Sequence, residues 1–118
     1  MTQIDRAIKI LNNGGIIIFP TDTAFGIGCR MDNFHAVERL FKIRRRPITQ
    51  ATPVLVSSMD MAEKYLYSPL PDNVRHLMKK YWPGALTIVY PCKKEEVLSL
   101  VRGGGLNLGV RMPDHQAA

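Results

Sequence analysis

Three short polar side chains, Thr21, Asp22 and Thr23, follow directly on the apolar run Ile16-Ile17-Ile18-Phe19-Pro20. Two hydroxyls and a carboxylate at the end of a buried strand occupy the place where open α/β sheets hold a ligand. The same triplet also reads as a turn closed by its own side-chain caps. A second group is cationic: Arg44, Arg45 and Arg46 are consecutive, and Pro47 follows. Planar guanidinium forks beside a stiff loop suit paired phosphate oxygens, and at a helix C-terminus they equally suit the dipole without any ligand. Thr87 is a lone hydroxyl in an apolar stretch, where β-propensity alone accounts for a threonine.

Several common chemistries are excluded by spacing. Gly26 and Gly28 do not extend to a Gly-x-Gly-x-x-Gly fingerprint, because Met31 takes the third position, and Gly103 and Gly105 fail likewise at Leu108. There is no phosphate loop of the Gly-x-x-x-x-Gly-Lys type and no serine-hydrolase elbow. His35, His76 and His115 are isolated from one another, so no metal-ligand spacing emerges and no metal site is expected. Cys29 and Cys92 form no Cys-x-x-Cys and read as reduced thiols. Any nucleotide site must then be built from basic side chains and loop hydroxyls.

A length of 118 residues, 46% apolar and 22% charged, fits one soluble domain. No apolar run is long enough to span a bilayer and no signal-peptide core is visible, so the expected location is cytoplasmic with no membrane partner. The net charge of +6 favours an anionic partner, either a nucleotide or a nucleic-acid backbone.

The elements that must position these groups alternate between helix and strand. Thr2 caps a first helix with Asp5 in its first turn, and Ile4, Ala7, Ile8 and Leu11 form its apolar face. Asn12-Asn13-Gly14-Gly15 ends it. A strand buried on both faces is expected over 16–19, and a short one over 27–30. Asp32 or Asn33 caps a helix reaching about Ile43, with Ala36, Val37, Leu40 and Phe41 inward. A strand over 53–56, a helix Met59–Tyr65 capped by Ser57 or Ser58, and a helix from Asp72 with Val74, Leu77, Met78 and Tyr81 inward come next. Strands at 85–90 and 107–111 flank a short helix at 95–101, and Pro113-Asp114-His115 reads as the start of a further helix. The expected fold is α/β, a twisted mixed β-sheet flanked by helices.

Four blocks, in order, resemble one family. Gly14 to Gly28 with its Phe19-Pro20-Thr21-Asp22-Thr23 core, Ala36-Val37-Glu38-Arg39-Leu40 with Arg44-Arg45-Arg46-Pro47, Trp82-Pro83-Gly84-Ala85-Leu86-Thr87, and Gly109-Val110-Arg111-Met112-Pro113-Asp114-His115 are similar to the signatures of the YrdC-like threonylcarbamoyl-adenylate synthases. The resemblance implies a single YrdC-like domain over 1–118, incomplete at the C-terminus because the family's Ser-x-Asn segment would lie downstream. It implies formation of threonylcarbamoyl-AMP from L-threonine, bicarbonate and ATP, with Mg²⁺ accompanying ATP as substrate, no tightly bound cofactor, and pyrophosphate as the leaving group. The product would serve N6-threonylcarbamoylation of adenosine 37 in tRNA, alongside other tRNA-modification proteins. Double-stranded RNA or tRNA binding, or a paralogue without synthase activity, is the alternative.

Carried over by position, the resemblance implies L-threonine contacts at Thr21, Asp22, Thr23 and Gly109, and ATP contacts at Arg44, Arg46, Gln50, Thr87 and Arg111. No catalytic residue is implied. Arg44 stands where the family has lysine, Phe25 where it has tyrosine, and Ala85 where it has proline.

Overall fold

The computed structural model describes residues 2–47 and 49–115. Helix α1, Gln3–Asn12, opens on a reciprocal cap: the Asp5 N–H donates to Thr2 Oγ1 at 3.0 Å, and the Thr2 N–H donates to the Asp5 carboxylate at 3.2 Å. None of its residues is buried, although Ile4, Ala7, Ile8 and Leu11 share one face. Strands β1, Ile17–Pro20, and β2, Phe25–Gly28, form an antiparallel ribbon with Phe19 opposite Gly26. Side chains at Gly26 or Gly28 would meet the Phe19 ring at 3.1 and 3.0 Å, so these glycines let that ring lie across the ribbon.

Here the expectations need correction. β1 is not buried on both faces: Ile18 is 74% exposed, and among the described residues β1 pairs with β2 alone. An apolar run reports neighbours on one side as readily as on two. β2 begins at Phe25 rather than at 27, because the Thr21 N–H donates to the Ala24 carbonyl at 3.0 Å and closes the turn early. The strands also divide into two sheets rather than one, a two-stranded antiparallel ribbon and a three-stranded mixed sheet.

Helix α2, Phe34–Ile43, is capped by Asn33, whose side chain accepts from the Ala36 N–H at 3.0 Å, and it buries Ala36, Val37, Leu40 and Phe41. The mixed sheet follows from β3, Val54–Leu55, β4, Ile88–Pro91, and β5, Asn107–Arg111, in the order β3-β5-β4. β5 runs parallel to β3 and antiparallel to β4, which makes it the centre of the sheet. Its Leu108 and Val110 are buried, in a core shared with Val37 and Phe41 of α2. Helix α3, Met59–Tyr65, capped by Ser58, and helix α4, Asp72–Tyr81, add Ala62 and Met78.

β3 and β4 are each shorter than expected, and the 95–101 segment holds only a 3₁₀ turn, Lys94–Glu96. On α4 the inward face is narrower than the periodicity implied, since Leu77 and Tyr81 are exposed. Pro113 to His115 starts no helix within the described residues.

Candidate active site

The turn between β1 and β2 is built by Thr21. Its hydroxyl donates to the Ala24 carbonyl at 2.6 Å and accepts from the N–H groups of Ala24 and Thr23 at 3.1 and 3.3 Å. With its one proton committed to Ala24, Thr21 meets the Thr23 hydroxyl 3.2 Å away as an acceptor whose two lone pairs are shared among three donors. Thr21 is therefore the turn's internal cap, and it aims Thr23. The two readings of the triplet divide between its members.

Asp22 and Thr23 meet Arg111, the last residue of β5, 8% exposed. Arg111 Nη1 donates to Asp22 Oδ1 at 2.6 Å and to the Gly84 carbonyl at 3.0 Å, while Nη2 reaches Thr23 Oγ1 at 3.5 Å. One guanidinium thus ties together the β1–β2 turn, the end of β5 and the corner after α4. The Arg111 hydrogen bond holds the Asp22 carboxyl below its ordinary value, against an opposing effect of burial and with help from the Asp114 backbone.

Beside this cluster lies a hollow of about 850 Å³, whose polar wall includes Thr21, Thr23, Arg44, Thr52, Thr87 and Arg111. Its apolar wall comes from α1, α2 and the ribbon, including Ile8, Phe19 and Leu40. A smaller hollow of about 530 Å³ adjoins it, sharing Thr52, Pro53 and Thr87. Thr49, Arg102, Asn107 and Gly109 line that second space.

Of the residues expected to contact ATP, Arg44, Thr87 and Arg111 face the larger hollow, whereas Arg46 and Gln50 line neither. Arg46 Nε donates to the Gln50 carbonyl at 3.3 Å and Nη2 donates to the Ala51 carbonyl, so Arg46 holds the loop that walls the smaller hollow. Gly109, expected on the threonine side, lies in the smaller hollow, where an added Cβ would make ordinary contact with Thr87 at 3.5 Å. Asp22 reaches the larger hollow only through Arg111 and Thr23. Thr49, Thr52, Arg102 and Asn107 were not singled out from sequence. The visible signals were Thr52 just before the proline that precedes β3, and Arg102 just before the glycine triplet.

The arginine triplet owes its display to the end of α2. The Arg45 N–H donates to the Lys42 carbonyl at 3.1 Å and the Arg46 N–H to the Phe41 carbonyl at 2.9 Å, with Arg45 at φ 53°. This is a Schellman closure with arginine at the left-handed position where glycine is usual. Arg45→Gly is expected to raise the unfolding free energy by about 1 kcal/mol, measured by urea denaturation, because the left-handed penalty on an L side chain is removed. An unchanged or lowered value would show that the arginine side chain offsets the strain.

Cys29 lines the larger hollow and Cys92 lies in the core; burial pushes both thiols up, away from reactive thiolate. Among the described residues no three His, Cys, Asp or Glu side chains group as a metal site, and no helix is long and apolar enough to cross a membrane.

Comparison with known proteins agrees with this architecture. A family model for Sua5, YciO and YrdC proteins, with the description "Telomere recombination", matches residues 9–118. The threonylcarbamoyl-AMP synthase of Bacillus subtilis is 35% identical over 98% of this chain and 33% of its own length, and that of Marinobacter nauticus 33% identical over 96% and 59%. The structure of P. abyssi Sua5 complexed with L-threonine aligns with a TM-score of 0.91 at 31% identity, covering 97% of this chain and 33% of that one. E. coli YciO aligns at 0.79 with 26% identity, over 97% of this chain and 54% of its own. The chain thus spans from about a third to about three fifths of the length of these relatives. Sequence and fold converge over almost all of the chain, which belongs to the Sua5/YciO/YrdC family.

Proposed function

We propose that this chain is a threonylcarbamoyl-AMP synthase-type domain serving tRNA N6-threonylcarbamoylation. The threonine amine joins bicarbonate as a carbamate with loss of water. A carbamate oxygen then attacks the α-phosphorus of ATP, and pyrophosphate leaves. ATP enters with Mg²⁺ as substrate.

The observation that carries the reading is the shared hollow: Thr23, Arg44 and Thr87, distant in sequence, line one concavity of about 850 Å³. Thr23 supplies a hydroxyl to the amino-acid substrate. Arg44, an exposed cation on the same wall, suits the phosphates, and Thr87 offers a further hydroxyl on the nucleotide side. Names and titles among the relatives support the same chemistry, since they include threonylcarbamoyl-AMP synthases and a Sua5 complexed with L-threonine.

The test is pyrophosphate release from ATP and bicarbonate by this chain, with and without L-threonine. Release that depends on threonine is expected. Thr23→Val is expected to weaken the threonine dependence about two- to tenfold, because one hydrogen-bonding partner is lost. Release indifferent to threonine, or none, overturns the reading for this chain. Arg44 and Arg45 are exposed at the end of α2, which favours RNA binding as the second reading; it would show as affinity for duplex RNA falling steeply with salt.

A further inference from the structure

Among the described residues, the cation of the smaller hollow has no carboxylate to balance it. Arg102 lines that space half-buried, with Nε donating to the Val97 carbonyl at 3.1 Å and Nη1 to the Gly105 carbonyl at 2.7 Å. Two carbonyls hold the guanidinium in place without neutralising it, and its Nη2 group has no acceptor among the described residues. By contrast, Arg30, Arg75 and Arg111 each meet a carboxylate, from Asp32, Glu63 and Asp22. No Asp or Glu lines the smaller hollow, while Thr49, Thr52 and Thr87 bring hydroxyls to it and Asn107 a side-chain amide.

The floor of the hollow is bare at Gly109. A Cβ built there would stand 3.5 Å from Thr87 and 3.9 Å from Pro53, ordinary contacts, and its φ is not positive. Neither crowding nor backbone geometry therefore calls for glycine in the middle of β5. A strand glycine that the protein's own packing does not require marks a place where a ligand comes close to the backbone.

We propose that the smaller hollow is a site for a phosphate group, with Arg102 as its cation. A guanidinium fork ringed by hydroxyls and an amide suits the acceptor oxygens of a phosphate, and walls free of carboxylates admit its charge. Thr52, Pro53 and Thr87 are shared with the larger hollow, so one ligand can extend through both. On the function proposed above, the two spaces separate the ends of one displacement. The carbamate oxygen approaches the α-phosphorus from the Thr23 side and forms the new P–O bond. The bond to the bridging oxygen breaks, and its electron pair leaves with pyrophosphate. In-line geometry sends that leaving group away from the nucleophile, toward Arg102, which meets the charge it gains. This source of the phosphate rests on the synthase reading; the site itself does not.

Inorganic pyrophosphate and ATP serve as separate probes of the isotope-labelled chain, read by amide resonances and by calorimetry. Pyrophosphate is expected to shift the Thr49, Thr52, Gly105 and Asn107 amides and to leave those of Thr23 and Gly26 in place. Arg102→Gln is expected to weaken pyrophosphate about three- to tenfold, a modest factor because water also reaches the half-buried guanidinium. Lys79→Gln removes the same charge from the exposed side of α4 and is expected to change the affinity less than about twofold. ATP shifting the same amides, with a similar loss in Arg102→Gln, assigns the phosphate to the nucleotide. Shifts with pyrophosphate alone support the site and assign it to free phosphate ligands.

Pyrophosphate shifts confined to Thr23 and Arg44, equal weakening by Arg102→Gln and Lys79→Gln, or no saturable shift overturns the site. Where Arg102→Gln folds poorly, the wild-type shifts decide alone. Pyrophosphate bound at Arg102 without threonine-dependent turnover removes the synthase reading and keeps the site. Threonine-dependent turnover with no pyrophosphate shift in the smaller hollow does the reverse.

Discussion

Leu66→Ala is expected to lower the unfolding free energy by about 2–5 kcal/mol, the range for emptying a fully buried leucine site. Leu66 is 0% exposed, at the C-terminal end of α3, where its N–H donates to the Ala62 carbonyl and its backbone bridges to Cys92 beyond β4. It belongs to a core cluster whose residues come from separate segments, among them Val56, Leu70, Met78, Cys92 and Val97. Collapse around the missing carbons would have to move several of these together, so the cavity persists and the upper half of the range is favoured. Against the roughly 5–15 kcal/mol that holds a typical domain folded, this is a large fraction. Urea unfolding checks it, with Leu77→Ala as the control. Leu77 is 41% exposed, and its truncation should cost under about 1 kcal/mol. Equal midpoints for the two variants would mean that the site relaxes freely.

Local chemistry explains which parts of the fold were legible. Thr2 with Asp5 was readable as a cap, and Asn33 and Ser58 each as one of two adjacent candidates, because a side-chain oxygen meets an N–H three residues on and needs nothing distant. The bounds of β5 were readable because its apolar residues run between a glycine triplet and a proline. Two-sided burial of β1 was not, since cover depends on which elements arrive over it. The exposure of Leu77 and Tyr81 has the same origin: helical periodicity marks a face, while its width depends on the neighbour.

At the site, the hydroxyls of the strand-end turn and the cation cluster were visible as residue types. Their final partners were not. The Arg111–Asp22 pair joins opposite ends of the chain, and the diversion of Arg46 to the carbonyls of Gln50 and Ala51 depends on where the loop after α2 turns. Thr49, Thr52, Arg102 and Asn107 converge only after β3 and β4 have docked on either side of β5. Spacing in sequence holds no trace of that convergence.

Gly103→Ala is the second large expected effect, and it tests the wall of the smaller hollow directly. Gly103 sits at φ +59°, and a Cβ there would stand 2.6 Å from the Ala51 nitrogen and 2.8 Å from the Thr49 carbonyl oxygen. Both are backbone atoms, so no side-chain rotation relieves the contact. The left-handed conformation costs an L side chain about 1–2 kcal/mol, and the overlap adds about 1–3 kcal/mol of overpacking. The loop cannot yield cheaply. Arg46 grips the carbonyls of Gln50 and Ala51, and the Thr52 N–H donates to the Val101 carbonyl at 3.0 Å. Gly104 supplies the comparison, at φ +77° with nothing within 4 Å of a built Cβ. Gly104→Ala should therefore show the backbone cost alone. The difference between the two variants in urea unfolding isolates the collision with residues 49–51, and only Gly103→Ala should also displace the amide resonances of Thr49 and Thr52. Equal destabilisation by both variants would mean that the glycine loop and the Arg46-held loop are not in contact, and the smaller hollow would lose the wall that defines it.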